Sequence, residues 1–383
     1  MQGASIYYYQ SKQTSSNGIE KHPKLRFPEF SEPWERVRIG DVYAERSERG
    51  AVSAELLSVT MTEGVKRRSD IEGKDNSSED KGNYKVVRIG DMVYNSMRMW
   101  QGANGISDYD GIVSPAYTVM KAKRGIANGF FAALFKTHRM IGEFCRHSQG
   151  MTSDTWNLKY PQIESIQTYI PTVTEQRKIA DMLMYLDRRI EKQHQLLEHL
   201  KKYKRGVLRK VFDHISTSCK KSLLGNLCVS ISSGKTTHVQ DHGQYPLIGS
   251  TGPIGYTDIE EFNEELILIA RVGANAGAVN YFAGSCGVTD NTLVVRVDKA
   301  YSVPEYILYF LEYYDPHRLI FGSGQPLVTG GQLKKIEVPI ASKDQQEKVV
   351  ELFTLLNKYC TCAQQQLDLL ICAKKALLQQ LFI

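Results

Sequence analysis

One stretch of this chain occurs twice, and that repeat leaves few folds open. Glu175–Phe212 reads EQRKIADMLMYLDRRIEKQHQLLEHLKKYKRGVLRKVF, and Gln345–Phe382 repeats its pattern. In the first copy, core-type positions fall at Ile179, Leu183, Leu186, Ile190, Gln193, Leu197, Leu200, Lys204, Val207 and Val211. Their steps alternate four and three, which is the 3.5-residue seam of a coiled coil rather than a globular helix's broader stripe. Adding 170 to each gives Val349, Phe353, Leu356, Cys360, Ala363, Leu367, Leu370, Lys374, Leu377 and Leu381. The seam is the same, needs no gap, and is interrupted by a lysine at the same place. Gln176/Gln346, Lys178/Lys348, Leu208/Leu378 and Phe212/Phe382 are identical pairs. A helix of 38 residues spans roughly 57 Å at about 1.5 Å per residue. Two such helices bury their seams most simply against each other.

The 383 residues exceed one ordinary core and predict two or three domains. No apolar run approaches the roughly 18–20 residues of a membrane span. The opening MQGASIYYYQSKQTSSNGIE is polar and aperiodic, without the apolar centre of a signal peptide. Residues 1–21 are therefore read as a disordered leader, 22–170 as a first globular domain and 171–215 as the first long helix. A second domain covers 216–340 and the second long helix 341–383. VRIGDMVYNS and IVSPAYTVM in the first domain, and ELILIARVG, GAVNYF and NTLVVRV in the second, have strand composition. Asn128–Cys145 and VPEYILYFLEYY read as helical, residues 63–85 as an exposed loop, Pro161–Pro171 as extended and His214–Lys221 as a polar linker. The domains also echo each other: RIGDVY (Arg38–Tyr43) answers LLGNLC (Leu223–Cys228), and GIVSPAYTVM answers GVTDNTLVVR. MRMWQGANGIS (Met97–Ser107) answers ARVGANAGAVN (Ala270–Asn280), which sets Arg98 opposite Arg271.

Charge is unevenly placed. The stretch 175–212 carries eleven Lys/Arg against five acids, an excess equal to the whole chain's +6. The second copy, counted from Asp344, balances four bases against four acids. A long basic helix suggests a nearby polyanion. Seven cysteines without a CxxC read as reduced thiols, not as a disulfide or metal framework. SSGKTT (Ser232–Thr237) lacks the first glycine of a phosphate loop, since Val229 stands there, and FGSGQ (Phe321–Gln325) is only part of a dinucleotide fingerprint. His194 and His199 are five apart on a helix, and His238 and His242 have few ligand types nearby. No catalytic constellation, metal site or cofactor site is assigned to this chain.

Several of these segments resemble the specificity subunit of type I restriction–modification enzymes. They are PKLRFPEF…W near the start, the IGD turn, GIVSPAY after MRMWQG, IGSTGPIGY (Ile248–Tyr256), ILIARVGANAG (Ile267–Gly277) and the IPxxxEQRKIA run into the long helix (Ile170–Ala180). The similarity covers residues 22 to 383. It implies an α+β chain: two mixed α/β target-recognition domains separated by two long helices, which form an antiparallel coiled coil with an internal pseudo-twofold repeat. It also implies a non-catalytic, cytoplasmic protein that binds double-stranded DNA and no membrane, reading a bipartite asymmetric site with one half per domain. Two modification (methyltransferase) subunits would dock on the helices, and restriction (motor-nuclease) subunits on those. S-adenosylmethionine, ATP and Mg would belong to these partners. Residues 55–81 align poorly with the other half, as expected where half-sites differ.

An antiparallel spacer would present two equivalent surfaces about one DNA turn, roughly 34 Å, apart. Base reading calls for Arg against guanine and Asn or Gln against adenine. The loop residues that satisfy this are Lys66, Arg67, Arg68, Arg98, Gln101 and Asn104 in the first domain, and Lys235, Thr236, Thr237, Arg271, Asn275, Asn291 and Gln325 in the second. Arg98 with Arg271, and the loop Ser232–Thr237, are the leading candidates. Lys204 and Lys374, in the seam, are expected to snorkel outward at a helix end. The alternative from another class is a coiled-coil scaffold whose two globes bind proteins.

Overall fold

The computed structural model describes residues 7–8, 23–50, 53–61, 63–73, 75, 77–123, 125–151, 155–320 and 326–382. Apart from Tyr7–Tyr8, the leader lies outside the described residues, as do FGSGQ and its Gln325. The first domain is built on strands β1 (Tyr43–Glu45), β2 (Met92–Asn95), β3 (Asn104–Ile106) and β4 (Tyr117–Ala122), helix α1 (Asn128–Leu134), and the first long helix α2 (Val173–Ser218). The second domain has β5 (Cys228–Ser233), β6 (Tyr245–Gly249), β7 (Gly252–Thr257), β8 (Phe262–Ala270), β9 (Val279–Val288), β10 (Thr292–Val297) and α3 (Pro304–Tyr314), followed by the second long helix α4 (Lys343–Leu381).

The sheets share one order. The first runs β1-β4-β2-β3, and the second runs β5-β10-β8-β9 before adding the β6–β7 hairpin at the far edge. Asn95 pairs Tyr117 where Ala270 pairs Thr292, and Tyr94 pairs Asn104 where Ile269 pairs Val279. These hairpins therefore repeat at a shift of 175 (270 − 95), while the long helices repeat at 170 (346 − 176). The domains also begin alike: Ile39 N–H bonds Ile166 O at 2.9 Å, and Leu224 N–H bonds Ile336 O at 2.8 Å. The strand runs are near-continuously apolar because both faces are buried. Along β8, Leu266 and Leu268 enter a small core with Ile248, Cys286, Val288 and Val294, while Ile267 and Ile269 enter the main core with Leu293 and α3. Alternate residues of a strand point to opposite faces. In the first domain, Met92 and Tyr94 likewise face the main core and Val93 the smaller one.

The chain divides into one unit of residues 1–192 with 366–383 and another of 193–365, so each unit holds one end of both long helices. Within each unit the two helices run antiparallel. In the first, Ile179 and Leu183 share a core with Leu381 and Phe382. In the second, Leu208, Phe212 and Ile215 share one with Val349 and Phe353. All ten seam positions of each helix are buried or half-buried. Gln193 Nε2 donates to Ala363 O at 2.9 Å, a contact between two residues at the same place in the two repeats.

Identical residues off the seam fasten the domains to the helices. The buried Gln176 side chain accepts from Ala127 N at 2.9 Å and donates to Pro171 O at 2.8 Å. Buried Gln346 accepts from Val303 N and Ser302 Oγ and donates to Ala341 O, all at 2.9 Å. Each thus ties the N-terminus of α1 or α3 to the start of a long helix. The helix ends are plugs: Phe212 packs on Tyr306, Phe310 and Tyr313, and Phe382 on Trp34 and Phe130.

Several expectations from the sequence need correction. Asn128–Cys145 is two helices, because Thr137 caps a new one at His138–His147. His214–Lys221 is largely helix, since Ile215 follows Val211 by four and extends the buried side of α2. Residues 63–85 contain the strand Gly64–Arg67, paired with Leu57–Thr60. Pro161–Pro171 holds a helical turn, Tyr160–Ile163, before the strand Gln167–Ile170. The seam lysines are paired: Lys204 with Glu312 of α3 at 2.8 Å, and Lys374 with Asp187.

Candidate nucleic-acid interface

In the second domain, three segments far apart in sequence meet around the turn between β9 and β10. Backbone bonds hold them: Gly234 N to Thr292 O at 3.1 Å, Thr236 N to Val288 O at 3.0 Å, and Arg271 N to Asn291 O at 2.9 Å. Gly234 is required here, because a Cβ would lie 2.2 Å from Val288 O. Glu261 organises the loop as well: its carboxylate accepts from Lys235 N (2.9 Å), Thr236 Oγ1 (2.8 Å) and Val288 N (3.2 Å). The side chains of Lys235, Thr237, Asn275 and Asn291 are exposed. Arg271 is half-buried and donates from Nη1 to Asp290 O at 3.4 Å. The structure thus brings Lys235, Thr237, Arg271 and Asn291 together, with Asn275 further along the loop that Arg271 opens. Thr236 is corrected: its hydroxyl is buried and bound to Glu261, so it shapes the loop instead of facing outward. Gln325 lies outside the described residues.

The first domain is arranged differently. Lys66, Arg67 and Arg68 lie on and after a hairpin strand, and each has a nearby acid: Glu63 at 3.8 Å, Glu55 at 3.2 Å and Asp75 at 3.8 Å. Arg67 also lies over the Tyr109 ring at 4.7 Å. Arg98 and half-buried Gln101 follow β2, and the exposed Arg98 has no ion-pair partner among the described residues. Asn104 is corrected: it is fully buried in β3, with Nδ2 donating to Gly102 O at 3.1 Å and Oδ1 left without a partner among the described residues. The next residue, Gly105, meets Gly64 so closely that a Cβ would lie 2.7 Å from its Cα. Asn104 points to the opposite face of β3 from Gly105, the side on which Ile106 packs against the main core.

Arg98 and Arg271 are not equivalent. Ser96 N bonds Ala116 O as Arg271 N bonds Asn291 O, and Leu158 N bonds Ser96 O as Val328 N bonds Arg271 O. Ser96 therefore answers Arg271, and Arg98 answers Gly273. The echo of glycine and alanine residues misled the alignment by two positions. Sequence reasoning also passed over Trp100 and Trp156, whose rings meet edge-on at 5.3 Å beside Arg98. Met97 lies there too and is exposed, and Trp100 Nε1 donates to its carbonyl at 3.0 Å. Trp100 stood within the quoted MRMWQG segment, so residue type alone could have flagged it. Glu261 gave no local signal, because its three partners come from two other segments.

Among the described residues, no three His, Cys, Asp or Glu side chains come together as a metal site, and no helix is long and apolar enough to cross a membrane. No curated protein sequence matches this chain. Its fold is similar to that of the S subunit of a type I restriction–modification system from M. genitalium, at 17% identity and a TM-score of 0.64, covering 94% of this chain and 99% of that one. It is also similar to a chain from a structural study of complex assembly and conformational transition of the type I R-M system, at 17% identity and a TM-score of 0.58, covering 91% and 97%. The family described as "Type I restriction modification DNA specificity domain" matches residues 31–202 and again 220–369. With the repeated sheet order, the two long helices and this double match, the chain belongs to the family of type I restriction–modification DNA specificity domains, which it carries twice.

Proposed function

We propose that this chain is the DNA-reading subunit of a type I restriction–modification complex, with each recognition domain reading one half of a bipartite, asymmetric site. The observation that carries this reading is the cluster around the β9–β10 turn. There Lys235, Thr237, Arg271 and Asn291 gather from separate segments on a backbone-fixed platform, and Asn275 is exposed on the same loop as Arg271. Arginine and asparagine are the side chains that bond guanine and adenine edges in pairs of hydrogen bonds. In the first domain, Arg98 and Gln101 supply polar contacts, and Met97 and Trp100 supply apolar surface of the kind that meets a thymine methyl. Exposed Arg188, Arg189, Lys201, Lys202 and Arg205 on α2 contact phosphates or a partner, which positions without specifying sequence. The subunit is itself non-catalytic. Its long helices dock the modification subunits, and S-adenosylmethionine, ATP and Mg act in those partners and in the restriction subunits, in the cytoplasm.

The test is DNA retention by this chain assembled with its modification subunits. Arg271→Ala is expected to weaken retention about 5- to 150-fold, corresponding to ~1–3 kcal/mol for one paired base contact. It should relax discrimination at one position of one half-site only. Binding should fall steeply with added salt, and a one-base-pair change in the gap should abolish it. Equal retention of unrelated DNA by wild type and variant would instead favour a scaffold that binds proteins.

A further inference from the structure

The two seam lysines occupy equivalent places in differently charged settings. The domain helices repeat at a shift of 176: Ala127 and Val303 both donate to the Gln176/Gln346 pair, and Phe130 and Tyr306 (306 − 130) both receive a terminal Phe, at 5.2 and 5.5 Å. On that shift Lys136 answers Glu312. On the helix shift of 170, Lys374 answers Lys204 and Asp187 answers Asn357.

In the second unit, the long-helix lysine meets an acid on the domain, and an amide on the other long helix bonds the tyrosine beside that lysine. Lys204 Nζ is 2.8 Å from Glu312 and 5.9 Å from the centre of the Tyr309 ring, and Asn357 Nδ2 donates to Tyr309 OH at 3.2 Å. In the first unit the acid has moved to the long helix, and the domain contributes a second base. Lys374 pairs with Asp187, and Lys136 has no ion-pair partner among the described residues. Burial first, and the neighbouring Lys374 second, lower the pKa of Lys136, while Asp187 offsets part of that.

We propose that these triads, Lys204–Glu312–Asn357 and Lys374–Lys136–Asp187, are an address that ties each recognition domain to its own end of the spacer. The reason is electrostatic. Placed at the second position, the first domain would set a lysine against Lys204 with only the neutral Asn357 beside them. Two half-buried ammonium groups without an acid repel in a setting that salt screens poorly. Placed at the first position, the second domain would set a carboxylate beside Asp187. Each native position keeps an acid for its long-helix lysine; the exchange would leave Lys204 beside a second base with no acid and would crowd two acids around Lys374.

The test exchanges Ile39–Ile166 with Leu224–Ile336 in the full chain, with and without Lys136→Glu and Glu312→Lys. The charge-corrected chain is expected to melt higher by about 2–4 °C, the shift that a modest interaction gives in a folding unit of roughly 150–250 residues. Equal melting temperatures would overturn the proposal. Where neither exchanged chain folds, the unexchanged chain decides. Asp187→Asn should lower the melting temperature, and adding Lys136→Glu, which rebuilds the second unit's triad in the first, should restore it. If Lys136→Glu gives the same change with Asp187 as without it, the triad does not exist. The readout is thermal, so this inference stands or falls separately from DNA reading.

Discussion

Gln176 and Gln346 show how one residue type, repeated, can hold two domains. Each side-chain amide is buried and satisfied by backbone groups from both the domain and the run into its helix. Gln346→Ala leaves Val303 N and Ala341 O without that partner. The expected loss is about 1–3 kcal/mol for each buried group stranded, read as a lower urea midpoint with an unchanged slope. The exposed Gln365→Ala should stay within ~0.5 kcal/mol. The cysteines divide by environment. Burial pushes the Cys286 thiol up to about 11 and Cys228 to about 12, whereas Cys362 and Cys372 are exposed. A raised pKa leaves little thiolate at neutral pH. An alkylating reagent at about pH 7.5, where an ordinary thiol is partly ionised, should therefore label Cys362 and Cys372 first, and Cys286 only after unfolding; equal rates would contradict this placement. The glutamine pair was legible because it recurs at the helix shift. The Arg26–Glu175 ion pair, buried with contacts of 2.7 and 2.8 Å, was not. Its partners are 149 residues apart, and the second copy has Gln345 in place of the acid.

Among elements, the long helices were the most legible, because a seam is a property of local spacing. What the spacing could not reveal is where the helix ends go. Phe212 belongs to the helix that follows the first domain, yet it is buried among Tyr306, Phe310 and Tyr313 of the second. Phe212→Ala should cost about 3–5 kcal/mol, as expected for a buried aromatic removed from a packed core. Thermal unfolding of the second unit, followed by hydrogen exchange in β8 and α3, should show the loss there, with β2 and β4 little changed. The loops were the least legible elements. Asn104 reads as a turn residue between glycines, but it is paired with Tyr94 and fully buried, and the Gly64–Gly105 approach on the other face of β3 joins two hairpins 41 residues apart (105 − 64). No short window along the sequence contains both.

For the whole molecule, the repeat carries the function. Two domains share a strand order, yet their candidate reading surfaces differ. Arg271 follows β8 and bonds the β9–β10 turn in one, and Ser96 takes its place in the other, with Arg98, Trp100 and Trp156 nearby. The same scaffold thus carries two unlike surfaces, as the proposed reading of two unlike half-sites requires. The most direct measurement is genome-wide adenine methylation in a host that expresses this chain with its cognate modification subunit. It would be repeated after residues 223–340 are exchanged for the corresponding segment of a relative. The expected result is methylation at one split motif, with only one half altered by the exchange. Methylation unchanged by the exchange, or absent despite a soluble complex, would contradict two independent readers on one helical spacer.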